Sequence, residues 1–201
     1  MDALKATLAG WLTTGAKVII ALIILIVAFK IINAVARKAE KKLLDAIGHA
    51  QEYEDKDEFH SELRVLEEYA DLGRDNLGYM LRLGRAYRRC NMPDKAMTCY
   101  NRCVEINPGY ATIYCNLGAL YFTVKDYANA VSHYEKGIKI MKESPAEYVL
   151  SDQAINLANY GAALAASGKK FKGSRYIKKA EKLGYKNGDR LRVMAGLKKV
   201  F

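Results

Sequence analysis

Side chains able to do catalysis are scattered along this 201-residue chain. His49, His60 and His133 stand in three different regions and make no HExxH or other ligand spacing, and there is no phosphate-cradling Gly-rich loop and no GxSxG elbow. Cys90, Cys99, Cys103 and Cys115 have no second cysteine cluster to complete a zinc site, so they read as reduced thiols packed like small apolar residues. No enzyme activity, cofactor or metal is expected. What remains is guanidinium chemistry: Arg82, Arg85, Arg88 and Arg89 fall within one short stretch, and planar guanidinium forks pair with carboxylates. Just ahead of them, residues 43–76 hold eleven Asp or Glu against Lys56, Arg64 and Arg74, a net −8 in a chain of net +10.

The elements that must position these arginines show a 34-residue period. In residues 77–110, Leu83, Gly84 and Tyr87 are followed by Ala96, Tyr100, Cys103 and Pro108; in residues 111–144, Leu117, Gly118, Tyr121, Ala130, Tyr134 and Gly137 take the corresponding places. Each copy reads as two antiparallel helices. Gly84 and Gly118 admit the partner helix, Tyr87 and Tyr121 fill the space one turn on, and Ala96 and Ala130 keep the facing point small. Asn107-Pro108-Gly109 ends the first copy, since Pro cannot continue a helix and Gly accepts a left-handed cap. A third copy, 154–187, has Tyr160, Gly161, Leu164, Gly173, Ile177 and Ala180, displaced by nine residues inserted around Ser144-Pro145. Leu191, Met194, Leu197 and Phe201 then space a capping helix over 188–201.

This pattern resembles the tetratricopeptide repeat family, whose signature has this period and this Leu-Gly, Tyr, Ala, aromatic, Pro order. With no sustained strand alternation anywhere, the expected class is all-α: an N-terminal transmembrane helix, then a solenoid of helix hairpins with a C-terminal capping helix. The resemblance implies that the inner face of the array is built from the first helix of each repeat. Read onto this sequence, it offers Arg82, Arg85 and Arg89 with Asn116 and Asn159 as a binding face for an acidic or C-terminal peptide segment. Of the residues with which some family members clamp a chaperone's C-terminal carboxylate, only Asn116 has a match. Leu81, Arg85, Ile155 and Asn159 replace the others, so chaperone docking does not follow.

At the N-terminus, residues 18–29 are twelve consecutive apolar residues between Lys17 and Lys30. Twelve is short against the ~20 a bilayer requires. However, Leu8 to Ala36 has no other charge, both lysines can snorkel outward, and Trp11 supplies an interfacial anchor. Ala34-Val35-Ala36 would suit a signal-peptidase site, but Arg37, Lys38, Lys41 and Lys42 directly beyond disfavour export. Lys17 and Lys30 project to different sides, which argues against an interfacial amphipathic helix. The reading is a single-pass anchor over 1–42, with the basic flank and all repeats on the cytoplasmic side, in a membrane of bacterial inner-membrane style. The segment is also weakly similar to the first membrane helix of bacterial small-conductance mechanosensitive channels. That similarity implies a membrane helix and no channel activity.

Beyond the anchor, the apolar spacing carries the helix as far as Gly48, and an acidic lead-in helix is expected over Asp57 to Leu72, with Phe59, Leu63, Leu66 and Ala70 on its apolar stripe. Residues 43–76 are either such a lead-in or a degenerate repeat with Tyr53 at the aromatic offset and Glu62 at the small-residue offset. The acidic block is either a lid over the arginines or a solvated spacer. Residues 168–201 hold twelve Lys or Arg against Glu181 and Asp189, net +10, which reads as an ordinary solvated face or as a surface whose counter-charge is anionic lipid headgroups; nucleic acid is not expected to be the partner. The function these features imply is a membrane-anchored adaptor or scaffold that binds protein or peptide partners. The alternative is a structural subunit of a larger membrane assembly, with the N-terminal helix as an interaction element.

Overall fold

The computed structural model describes residues 2–144 and 150–197, with the side chains at 2, 4, 6, 8, 9, 11–15, 17, 150–152 and 194, those of Trp11 and Lys17 among them, outside that description. Every regular element among the described residues is an α-helix. Two units are distinguished, Met1–Ala46 and Ile47–Phe201.

The first unit is the bulk of α1 (Asp2–Asp55). Its apolar stretch faces outward along its length, with Leu25 65% and Phe29 64% exposed. It is the one described helix long and apolar enough to cross a membrane, by length and composition, with a mean hydropathy of 2.9 over its most apolar window. The helix does not stop at Gly48. A glycine in a helix interior costs about 1 kcal/mol, and here the turn beyond it buries Ala50 completely and sends Gln51 and Glu54 into hydrogen bonds.

In the second unit, hairpins follow one another: α2 (Phe59–Glu68), then α3 (Leu77–Arg89) with α4 (Pro93–Ile106), α5 (Ala111–Thr123) with α6 (Tyr127–Glu143), α7 (Leu150–Ala166) with α8 (Lys170–Lys182), and α9 (Gly188–Met194). Helix α2 starts later than expected because Asp57 takes a left-handed φ of 57°, which no helix interior accommodates, and it ends earlier, at Glu68 with Tyr69 as its C-cap. The insertion that displaces the third repeat falls partly on residues 145–149, and the capping stripe ends on Phe201; these lie outside the described residues.

Left-handed turns mark the period of the fold. Asp57, Asn91 and Lys125 all have positive φ, and each lies 34 residues from the next; Gly168 follows Lys125 after 43, the repeat plus its insertion. The turn between the two helices of a repeat therefore recurs ahead of the first recognisable copy, at Asp57. By contrast, Gly109 is not left-handed. Its N–H donates to Asn107 Oδ1 at 3.0 Å, so the chain turns there through an Asx-type contact of Asn107.

The glycines open the helix pairs as the sequence implies, but different tyrosines fill them. A Cβ on Gly84 would lie 2.6 Å from Tyr100 Cε1, and one on Gly118 would lie 2.8 Å from Tyr134 Cδ2. Tyr100 and Tyr134, from the second helix of each hairpin, are fully buried over the glycines. Tyr87 instead turns toward α2, where its hydroxyl donates to Glu67 at 2.9 Å, and Tyr121 stacks on His133 with ring centroids 5.0 Å apart. In the third hairpin the backbones themselves meet, since a Cβ on Gly161 would stand 2.8 Å from the Gly173 carbonyl oxygen.

Candidate functional site

Helix α3 is capped by Asn76, whose Oδ1 accepts from Tyr79 N–H at 2.9 Å, and buries Tyr79, Met80, Leu83 and Ala86. That burial fixes the helix's rotation and turns Arg82, Arg85 and Arg89, one turn apart, to a common face. The end of α1 and helix α2 lie against this face. Arg82 donates to Glu54 at 2.9 Å and to Gln51 at 2.5 Å, with Glu62 3.9 Å away. Arg89 donates to Glu62 at 3.1 Å and also to Glu54, and its guanidinium lies 5.2 Å from the Phe59 ring centroid. The acidic segment thus meets the arginine face through Gln51, Glu54, Phe59 and Glu62, and Glu54 touches two of the arginines at once.

Arg85, between them, forms no ion pair among the described residues. Burial depresses its pKa, and the nearby Glu54 carboxylate does not offset this. Arg89 behaves oppositely: burial works against its charge, but its bonds to Glu54 and Glu62 raise its pKa overall. Glu62 is only 1% exposed, and burial raises its pKa despite Arg89. The acids therefore compensate Arg82 and Arg89 and leave Arg85 as a desolvated cation.

Arg85 opens into a groove of about 500 Å³ formed along the first helices of the three repeats. Its charged and amide lining is Arg85, Arg88, Arg89, Asn116, Asn156 and Asn159. Of the five residues offered by the sequence, four share this groove; Arg82 lies outside it, held by Gln51 and Glu54. Two buried donors of the groove, Arg88 Nε and Asn116 Nδ2, have no protein acceptor. A bound carboxylate or peptide carbonyl is the chemistry they suit. Arg88 was readable from its offset on α3. Asn156 was not, because it lies one position beyond the inner-face residue Ile155, and only the path of α7 turns it into the groove.

Thiol chemistry does not compete. Cys99, Cys103 and Cys115 are buried and uncrosslinked, and burial lifts their pKa values to about 11, 12 and 12, so they hold their protons at neutral pH.

Comparison with known proteins agrees with the hairpin geometry. Residues 84–124 match the family described as TPR repeat, and residues 111–142 match the tetratricopeptide repeat. Over 95 residues, 47% of this chain and 11% of the other, the chain is 28% identical to anaphase-promoting complex subunit CDC16 of Saccharomyces cerevisiae. Over 76 residues, 38% of this chain and 24% of the other, it is 33% identical to stress-induced-phosphoprotein 1 of Caenorhabditis elegans. The chain thus spans between about a tenth and a quarter of these curated relatives. Among solved structures, PilF of Pseudomonas aeruginosa superposes with a TM-score of 0.63 over 78% of this chain and 67% of that one, at 13% identity, a likeness of fold alone. Across residues 84–142 the hairpins match tetratricopeptide repeats, and the described helices form an all-α solenoid of the same kind. Such repeats bind protein or peptide partners and serve as non-enzymatic scaffolds, and no catalytic family is indicated.

Proposed function

We propose that this protein is a membrane-anchored adaptor whose repeats, on the cytoplasmic side, bind an acidic or C-terminal peptide segment of a partner in the groove of Arg85, Asn116 and Asn159. The observation that carries the reading is Arg85: a desolvated cation without an ion-pair partner, in a groove where Arg88 and Asn116 still have donors to give. A carboxylate entering there meets positive charge and fixed donors in a low-dielectric setting, where each charge-assisted bond is strong. The exposed apolar run of α1, flanked by Lys30 and the basic Arg37, Lys38, Lys41 and Lys42, supports the anchor and its orientation. Arg82 contributes indirectly, and Arg89, although it lines the groove, is already engaged by acids. Their acids hold a negative charge beside the groove, so a partner's carboxylate competes with Glu54.

The test is partner capture from native membranes with the full chain in nanodiscs, wild type beside Arg85→Glu and Arg85→Lys. A partner kept by the wild type, weakened by the lysine variant and lost with the glutamate variant supports the groove. Recovery of the same partners by all three refutes it.

One observation favours a second reading, a structural subunit of a membrane assembly: the apolar stripe of α1 is unpartnered on every side among its described residues. CDC16 is by its name a subunit of a complex, a precedent for these repeats as assembly parts. Exchanging residues 8–36 for an unrelated span separates the two readings. An adaptor keeps its partner, whereas an assembly subunit loses it.

A further inference from the structure

Helix α8 is built against the needs of a helix. Its first turn has no acid and instead places Lys170 and Lys172 near the positive end of the helix dipole, with Lys169 at an N-cap that makes no side-chain capping bond. Cations there oppose the helix dipole. Buried Gly173, Ile177 and Ala180 fix which side faces α7. The opposite side is then a line of Phe171, Arg175, Lys178 and Lys182 at four-, three- and four-residue steps, all exposed, with Lys179 beside it. Phe171 is 80% exposed, the most exposed large apolar side chain described in the unit Ile47–Phe201.

The acids that could neutralise this line are committed elsewhere. Glu181, the only carboxylate of α8, takes two bonds from Arg192, at 2.8 and 2.7 Å. Glu135 accepts from the Tyr160 hydroxyl at 2.5 Å and reaches only Lys172, at 3.7 Å. Arg175, Lys178, Lys179 and Lys182 have no carboxylate within ion-pair distance among the described residues.

We propose that this face of α8 is a docking surface for an anionic lipid bilayer, with Phe171 entering the headgroup layer and the basic line pairing with lipid phosphates. An acidic protein would match the charge but gives no account of a bare phenyl ring at the end of the line, whereas an interface with an apolar interior does. Each basic residue near an anionic surface adds to the attraction. The proposal rests on the membrane reading of α1 for the tether and is independent of the peptide groove.

The test uses the full chain with Trp11→Phe and Phe171→Trp, so that the only tryptophan reports on the tip of α8. Co-elution with phosphatidylcholine nanodiscs reports the anchor alone. The expected result is an emission at position 171 that matches solvent in those discs and moves to the blue in discs with added phosphatidylglycerol. The shift should reverse at high salt and disappear with Arg175→Glu, Lys178→Glu and Lys182→Glu together. These residues are exposed, so folding is preserved, and circular dichroism confirms it. Equal emission in both lipids, or a shift insensitive to salt, overturns the proposal. So does a shift produced by an oligonucleotide but not by anionic lipid, which assigns the face to nucleic acid. A chain that fails to enter neutral discs defeats the anchor but not the surface, which is then read with phosphatidylglycerol vesicles in solution.

Discussion

Glu62 and Arg89 form an ion pair of 3.1 Å in which the carboxylate is only 1% exposed and the guanidinium side chain 26%. Glu62 stands at the repeat offset where Ala96 and Ala130 are fully buried small residues. A carboxylate in that place is tolerated because the next helix brings an arginine to it. Removing either partner takes away a buried counter-charge, which for buried pairs costs about 3–5 kcal/mol, less here because Arg89 remains partly wet and keeps its bond to Glu54. Glu62→Ala is expected to lower stability by roughly 2–3 kcal/mol. Arg89→Met combined with Glu62→Leu should recover most of it, as read by a double-mutant cycle in chemical denaturation.

Glu54 bonds both Arg82 and Arg89 and lies close enough to Arg85 to act on its charge. Replacing it with an isosteric amide keeps some hydrogen bonding and removes the competing negative charge. Glu54→Gln should therefore tighten binding of a glutamate-rich peptide by about tenfold, ~1.4 kcal/mol. The gain should shrink as salt rises. Fluorescence anisotropy with a labelled peptide measures both. Unchanged affinity would mean the acidic segment is a structural support only.

His133 stacks on Tyr121, and burial, then the Lys136 charge, holds its pKa below the ordinary 6.5. The unfolded chain then takes up a proton that the folded chain resists. The stability this group contributes is present above pH 6.5 and lost as pH falls through that value toward the depressed pKa of the folded state. His133→Phe keeps the stack and cannot titrate. Its melting temperature should vary less between pH 7 and pH 5 than that of the wild type.

Gly84 has Tyr100 where its Cβ would be, at 2.6 Å. Gly84→Val should cost about 1–3 kcal/mol through overpacking. Tyr100→Leu in the same chain should give part of that back, seen as a paired recovery in thermal melts.

Much of this was legible before any coordinates. The positions of the close-approach glycines follow from the period, and four groove residues follow from offsets on it. The misreadings have physical causes. Tyr87 and Tyr121 look equivalent to core tyrosines, but which of two tyrosines covers Gly84 depends on the rotation of α4, which sequence spacing leaves open. The left-handed turn at Asp57 was hidden because aspartate tolerates that backbone without announcing it, unlike glycine. The pairing of Glu54 and Glu62 with particular arginines was out of reach of sequence, where the acidic block read first as a solvated spacer and only second as a lid. Only the continuation of α1 past Gly48 aims Gln51 and Glu54 at α3.

The central claim is that Arg85 and its amide neighbours receive a partner's carboxylate. Its most direct test is titration of a labelled acidic peptide into the nanodisc-embedded full chain, comparing wild type with Arg85→Glu and Asn116→Leu at two salt concentrations. Arg85→Glu should abolish binding, Asn116→Leu should weaken it severalfold, and wild-type affinity should fall as salt rises. Equal affinity across all three proteins would contradict the account.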